Sequence, residues 1–93
     1  MIKSFKDGEA EAVFHRQRSR KLPPDIQQVA LRKLRMLNNA QNLKDLRIPP
    51  ANRLEKLTGI RTGQYSIRIN DQWRVCFEWQ GGNAFNVEIT DYH

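Results

Sequence analysis

Apolar and polar residues alternate along the last third of this chain, from Gln64 to His93. Three runs carry the pattern, and their apolar members are Tyr65, Ile67 and Ile69, then Trp73, Val75, Phe77 and Trp79, then Phe85, Val87 and Ile89. A period of two, filled by β-branched and aromatic residues, predicts half-buried strands. Asn, Asp and Gly stand between the runs, at 70–72 and 81–83, and they tolerate the backbone of tight turns. The pattern therefore predicts an antiparallel three-strand meander with one apolar face and one polar face.

The separation of the two faces also predicts the register of the first hairpin. Directly opposite residues of an antiparallel pair project to the same side of the sheet. A two-residue turn would mix the faces, whereas a three-residue turn at 70–72 pairs Ile67 with Val75. The same register sets Arg68 directly opposite Arg74.

A three-residue turn at 81–83 is predicted for the second hairpin in the same way. It pairs Trp79 with Phe85 and sets Arg74 opposite Thr90. The polar face, which is expected to stay open, then gathers three side chains in one cluster: Arg68, Arg74 and Tyr92.

Two arginines that face each other across a strand pair have two interpretations. Their repulsion costs from a few tenths to about 1 kcal/mol. They are either solvated or paired with Glu88 or Asp91, or they hold an anion between them. The second interpretation has a chemical basis, because the planar guanidinium fork fits phosphate in a bidentate manner.

The first half of the chain has helical periodicity instead. A first helix is predicted from Gly8 to about Gln17, with Asp7 as its N-cap. A second helix is predicted to begin at the prolines before Asp25. Its apolar stripe is Ile26, Val29, Ala30, Leu34, Leu37 and Ala40. With short strands at Met1–Phe5 and Leu54–Leu57, the layout is β-α-α-β-β-β-β, an α+β fold with two N-terminal helices on one face of an antiparallel sheet.

The overall charge narrows the class of partner. The 93 residues carry a formal net charge of +6, and this balance favours polyanions such as RNA, DNA, a ribosome or an acidic protein. The length indicates a single domain spanning residues 1–93. Cys76 is the only cysteine, so we expect no internal disulfide and a reduced, cytoplasmic location. No apolar run has the length of a signal peptide or membrane span, so no membrane association is expected.

The residue types of this chain are compatible with one catalytic mechanism. The chain has no Gly-rich phosphate loop, no metal-ligand motif and no Ser-His-Asp motif, so we predict no metal ion and no cofactor. What remains is phosphodiester cleavage by the 2′-hydroxyl of an RNA substrate. Arg68 and Arg74 would stabilise the developing charge, and Tyr92 or His93 would move protons. A plain binding face is the alternative.

Further basic residues are predicted to contact RNA or the ribosome. Lys56 and Arg61 lie just before the meander and are assigned to neighbouring phosphates. The stretch 16–21 is first interpreted as a solvated connection, but its cations would add to any attraction for RNA. Its basic members are Arg16, Arg18, Arg20 and Lys21.

Four segments together carry a family resemblance. They are MIKSF at the start, NRLEKL before the meander, GQYSIRINDQWRVCFEW within it and EITDYH at the end. With them the chain resembles the HigB-type toxins of the RelE superfamily, also called plasmid maintenance killer proteins. The resemblance implies a small α+β toxin of a two-gene toxin–antitoxin module, which cleaves messenger RNA in the ribosomal A site without metal. It also implies a helix-turn-helix antitoxin as partner, and contact with operator DNA only through that antitoxin.

The resemblance also implies roles for individual residues. Arg74 matches the arginine credited with transition-state stabilisation, and Asp91, Tyr92 and His93 match a terminal DYH triplet whose tyrosine is most often given a catalytic role. Two positions depart from the family pattern, because Thr58 and Asn70 stand where well-studied relatives carry basic residues. ParE-like relatives with the same fold inhibit DNA gyrase and cut nothing, and a non-cleaving ribosome inhibitor is a third reading.

Overall fold

Within the described residues, four strands form one antiparallel sheet, in the order in which they occur along the chain. They are β1 (Glu55–Lys56), β2 (Gln64–Arg68), β3 (Trp73–Gln80) and β4 (Asn83–Asp91). The computed structural model describes residues 1–91. Three short 3-10 segments, Leu43–Arg47, Pro50–Asn52 and Gly59–Arg61, connect the second helix to β2 around β1. No helix within the described range is both long enough and apolar enough to span a bilayer.

Two helices cover the apolar face of this sheet. Helix α1 (Gly8–Phe14) begins at the predicted cap, where the carboxylate of Asp7 accepts the backbone N–H of Ala10 at 3.1 Å. It ends three residues before the predicted Gln17, because Arg16 adopts a left-handed φ of 62°, which a helix of L-residues does not continue through.

Helix α2 (Pro24–Asn39) supplies most of the core opposite the sheet. Its predicted apolar stripe is confirmed, with Leu34 and Leu37 fully buried and Val29 half-buried. These side chains share one cluster with the predicted core of the sheet, which includes Ile67, Val75 and Phe77. Burial of each such side chain contributes about 1.5–3 kcal/mol, so this layer provides the main stabilisation of the fold.

The N-terminal segment joins the sheet at its other edge. Ile2 and Phe5 form isolated parallel bridges with Ala84 and Val87 of β4. The predicted edge strand therefore occurs as two bridges, and it covers the backbone groups of β4 that face away from β3.

The predicted register of the first hairpin is confirmed. Ile67 lies opposite Val75, and Arg68 lies opposite Arg74. The turn between them is closed by Asn70, whose Oδ1 accepts the backbone N–H groups of Gln72 and Trp73 at 2.9 and 2.8 Å.

The predicted register of the second hairpin is wrong near its turn and right near Arg74. The turn has two residues, Gly81 and Gly82, with φ of 59° and 78°, as a type I′ turn requires. Trp79 therefore pairs with Ala84 instead of Phe85. A bulge then shifts the register by one residue between Cys76 and Glu78, so that Arg74 still lies opposite Thr90.

The bulge follows from the residues that β4 places opposite Phe77. Cys76 pairs with Glu88 and Glu78 pairs with Phe85, which leaves Asn86 and Val87 against Phe77 alone. Asn86 has a φ of 52°, and asparagine is one of the few residues that enter this region readily. The extra residue returns Val87 to the apolar face, where it is fully buried.

The second face of the sheet is not open, contrary to the prediction. Parts of the segment 50–61 on either side of β1 contact this face through Arg53 and Arg61. On this face Ser66 and Cys76 are fully buried and Arg74 is only 7% exposed. The guanidinium groups of Arg61 and Arg74 bridge between this segment and the sheet. The polar face is therefore a second, hydrogen-bonded interior beneath a short connection.

Candidate functional site

Among residues 1–91, three groups on the second face of the sheet hold the guanidinium of Arg74. Its Nε donates to Oγ of Ser66 at 2.8 Å, and its Nη2 donates to the backbone carbonyl of Arg53 at 2.6 Å. The carboxylate of Glu55 lies 3.8 Å from Nη2. Ser66 is on the neighbouring strand β2, Glu55 is on the edge strand β1, and Arg53 lies just before β1. Arg74 therefore has a fixed side-chain orientation, with a charged partner at its outer end.

The carbonyl of Arg53 owes its direction to the preceding residues. Arg53 follows the 3-10 segment Pro50–Asn52 and has a left-handed φ of 44°. Asn52 is fully buried, donates its side-chain amide to the carbonyl of Leu46 at 3.2 Å, and accepts from Nζ of Lys33 at 2.5 Å. These bonds tie the backbone beside Arg53 to helix α2.

Lys33 is a buried cation that the apolar stripe of α2 did not predict. Its side chain comes from the core-facing side of α2, and its residue is only 9% exposed. Burial lowers the pKa of its ammonium group, and the nearby charges of Arg32 and Arg68 lower that pKa further. The lysine thus brings positive charge close to Arg68 from the helix side of the sheet.

Arg68 lies directly opposite Arg74 but has a partner of its own. Its guanidinium pairs with the carboxylate of Asp71 in the adjacent turn. Among the described residues, the structure gives Arg68 this partner in place of Glu88 or Asp91, the carboxylates expected as alternatives to solvent or a bound anion. About 30% of the Arg68 side chain remains exposed, so Arg68 is more accessible than its buried neighbour.

Asp91 ends β4 at the same end of the sheet. It lies opposite Trp73, and its Oδ2 accepts from Nε2 of Gln72 at 3.1 Å. Its strand neighbour Thr90 lies opposite Arg74. The remaining two predicted catalytic residues, Tyr92 and His93, lie outside the described residues.

Arg61 belongs to an ion network further along the same face. Its Nη1 donates to Oε1 of Gln64 at 3.1 Å and to Oε2 of Glu88 at 3.2 Å, and Nζ of Lys6 reaches the same Glu88 oxygen at 3.2 Å. Cys76 is buried on this face, and burial raises the pKa of its thiol. Within residues 1–91, no group of three or more potential ligand side chains is arranged for a metal ion.

The remaining predicted RNA contacts lie away from Arg74. Lys56 is opposite Tyr65 in the register, and alternation along the strand directs it to the other side of the sheet from Glu55. Arg16, Arg18, Arg20 and Lys21 are exposed in the connection between α1 and α2. The structure therefore brings Arg61, Arg68 and Arg74 to one face and leaves the other basic residues predicted to contact RNA on the helix side.

Comparisons with known proteins identify relatives over the whole chain. A family model described as the RelE-like toxin of type II toxin–antitoxin system HigB matches residues 3–93. Toxin HigB-1 of Vibrio cholerae is 44% identical over 93 residues, which are 99% of this chain and 98% of that protein. Endoribonuclease HigB of Proteus vulgaris is 30% identical over 94 residues, which cover 100% of both chains.

A solved structure supports the fold independently. The YoeB–YefM complex from Staphylococcus aureus contains a chain that matches with a TM-score of 0.57, covering 100% of this chain and 98% of that one. Sequence identity in this match is 21%. Two helices packed on a four-strand antiparallel sheet are therefore a shared architecture, as the sequence pattern predicted.

Proposed function

This chain belongs to the HigB-like family, the RelE-like toxins of type II toxin–antitoxin systems, and on that basis we propose that it is an endoribonuclease that cleaves messenger RNA in the ribosomal A site. A relative of 30% identity carries the name Endoribonuclease HigB. The observation that carries the proposal is the orientation of Arg74, a nearly buried cation held by Ser66 and the carbonyl of Arg53. A preorganised cation contributes most where negative charge develops in a transition state.

The proposed reaction uses the 2′-hydroxyl of the RNA as nucleophile and needs no metal ion. The 2′-oxygen loses its proton and bonds to phosphorus, while the bond from phosphorus to the 5′-oxygen breaks and that oxygen gains a proton. The products are a 2′,3′-cyclic phosphate and a 5′-hydroxyl end. Arg74 would stabilise the charge on the phosphorane, and Arg68 would assist from the more exposed side.

The proton transfers are assigned to the end of the chain. Tyr92 and His93 are the candidates, because imidazole titrates near neutral pH and a phenol can act once its pKa is tuned. Asp91 would orient the group that follows it. Arg61 and Lys56, with the cations of 16–21, would add contacts to neighbouring phosphates or to the ribosome.

The proposed cellular setting is that of the family. A cognate helix-turn-helix antitoxin would neutralise the toxin in the cytoplasm, and operator DNA would be contacted only through that antitoxin. The net charge of +6 supports an encounter with an RNA-rich particle, since positive charge accelerates association with polyanions.

The test is sequencing of RNA 5′ ends after brief induction of wild type and two variants, Arg74→Ala and Arg74→Lys. Wild type should create new 5′-hydroxyl ends inside translated messages, and both variants should lower their yield about 100-fold or more. Arg74→Lys keeps the charge but lacks the Nε donor that reaches Ser66. Arg47→Ala removes an exposed arginine and should cleave like wild type.

Because Arg74 is buried, each variant is also compared with wild type by thermal melting, and only folded variants are scored. Growth arrest by wild type without new RNA ends would refute cleavage. It would direct attention to DNA gyrase and to ribosome occupancy as targets.

A further inference from the structure

A groove with a basic rim lies at the helix side of the molecule, between the end of α1 and the outer side of α2. Its volume is about 870 Å³. Val13, Val29 and Leu31 contribute its apolar lining, and all three are buried or half-buried. Four exposed arginines line the same groove: Arg16, Arg18, Arg32 and Arg35.

The charge of this groove is of one sign. No aspartate or glutamate is among the described residues that line it. Within residues 1–91, none of the four arginines forms an ion pair. Arg32 and Arg35 are three residues apart on one helix, a spacing at which like charges repel by about 0.2–0.5 kcal/mol. A negatively charged ligand would offset this repulsion.

We propose that the groove docks an acidic amphipathic segment of the antitoxin. Apolar side chains of that segment would pack on Val29 and Leu31, and its carboxylates would pair with the arginines of the rim. Laying an apolar side chain into a groove while charges meet at its edge is a common mode of peptide recognition. The volume lies within the range of about 300–1,000 Å³ that ligand clefts occupy.

The lining of the groove favours a protein segment over RNA. Proteins that bind single-stranded nucleic acid stack bases on aromatic side chains beside the cations. No aromatic residue is among the described residues that line this groove, and its apolar lining is aliphatic. Guanidinium groups around an aliphatic floor suit a segment that alternates carboxylates with apolar residues.

The position of the groove has a consequence for neutralisation. The groove is on the helix side of the sheet, whereas Arg74 is on the other side beneath residues 50–61. An antitoxin docked there would leave Arg74 uncovered. It would inhibit sterically, by preventing the toxin from entering the ribosomal A site. The inference rests on the antitoxin partner of the proposed function and is independent of RNA cleavage itself.

The experiment compares two charge-reversed variants by titration calorimetry against the full-length antitoxin of the same module. Arg32→Glu/Arg35→Glu changes the groove, and Lys44→Glu/Arg47→Glu changes two exposed cations of the segment Leu43–Arg47. Each pair of substitutions lowers the net charge of +6 by four units, so long-range attraction falls equally. The groove variant should lose about 100-fold or more in affinity, as at the centre of other interfaces, and the control should stay within about threefold.

Additional measurements separate the possible failures. Melting temperature and RNA cleavage are measured for both variants; if Arg32→Glu/Arg35→Glu fails to fold, Arg32→Gln/Arg35→Gln replaces it, with an expected loss of about 10-fold. Unchanged antitoxin affinity in the groove variant would overturn the proposal. If that variant also loses RNA cleavage, the groove is an RNA surface instead. If wild type cuts no RNA while the groove variant still loses the antitoxin, the proposed nuclease fails and the docking surface stands.

Discussion

At the scale of single residues, Ser66 is as informative as the arginine that it contacts. Ser66 is fully buried and accepts from Nε of Arg74 at 2.8 Å. A guanidinium that loses one acceptor keeps its charge but can rotate about its side-chain torsions. Ser66 is therefore a positioning residue in the proposed reaction, since it acts through Arg74.

Ser66→Ala should lower kcat about 10-fold with little change in KM, because orientation matters most in the transition state. Removing the acceptor also leaves a buried donor unsatisfied, which costs about 1–3 kcal/mol of stability. Single-turnover cleavage on programmed ribosomes and thermal melting are the measurements. Cys76→Ala is the control, because Cys76 is buried opposite Ser66. An unchanged kcat in Ser66→Ala would remove Ser66 from the mechanism.

At the scale of elements, the turn and the bulge of the second hairpin shift the register in opposite directions, so that their effects cancel near Arg74. Parity predicted Arg74 opposite Thr90, and that pairing is confirmed. The prediction assumed a three-residue turn, whereas a two-residue turn and a bulge at Asn86 give the same register at this end. The two routes differ in the face that they give to residues 84 and 85. Alternation placed Phe85 on the apolar face, whereas Ala84 is buried in the core there and Phe85 lies opposite Glu78.

The turn requires a positive φ at Gly81, and this requirement can be tested by substitution. Its φ is 59°, and β-branched residues are strained there by about 1–2 kcal/mol. Gly81→Val should therefore lower the free energy of unfolding by that amount, while Gly81→Asn should be close to neutral, because asparagine suits type I′ turns. Urea denaturation measures both.

Cleavage activity of folded Gly81→Val should equal that of wild type, since Gly81 and Arg74 are at opposite ends of β3. Equal stability of Gly81→Val and Gly81→Asn would mean that the turn does not need a left-handed residue at this position.

For the candidate site, the alternation of apolar and polar residues predicts some features and not others. The facing positions of Arg68 and Arg74 followed from strand parity. The burial of Arg74 did not, because it depends on residues 50–61 folding over the sheet. That arrangement rests on the left-handed Arg53 and on the buried Lys33–Asn52 contact, and neither has a periodic signature in the sequence.

At the scale of the whole molecule, the sheet separates two basic regions. Arg61, Arg68 and Arg74 lie on the side covered by residues 50–61, and the groove with Arg32 and Arg35 lies on the helix side. A ligand of modest size bound on one side of the sheet cannot reach the arginines on the other side. The region around Arg74 suits the ribosome and the groove suits the antitoxin. A docked antitoxin would also cover Arg16 and Arg18, which line the groove and were proposed to contact the ribosome.

Hydrogen exchange on the toxin–antitoxin complex tests this separation directly. Antitoxin binding should slow the exchange of amides in the connection 15–23, because part of that connection lines the groove. Amides of 53–56, beside Arg74, should exchange as they do in the free toxin. The complex of the antitoxin with Lys44→Glu/Arg47→Glu serves as the control and should show the wild-type pattern. Slower exchange at 53–56 with no change at 15–23 would mean that the antitoxin covers Arg74, and inhibition would then act at the proposed active site.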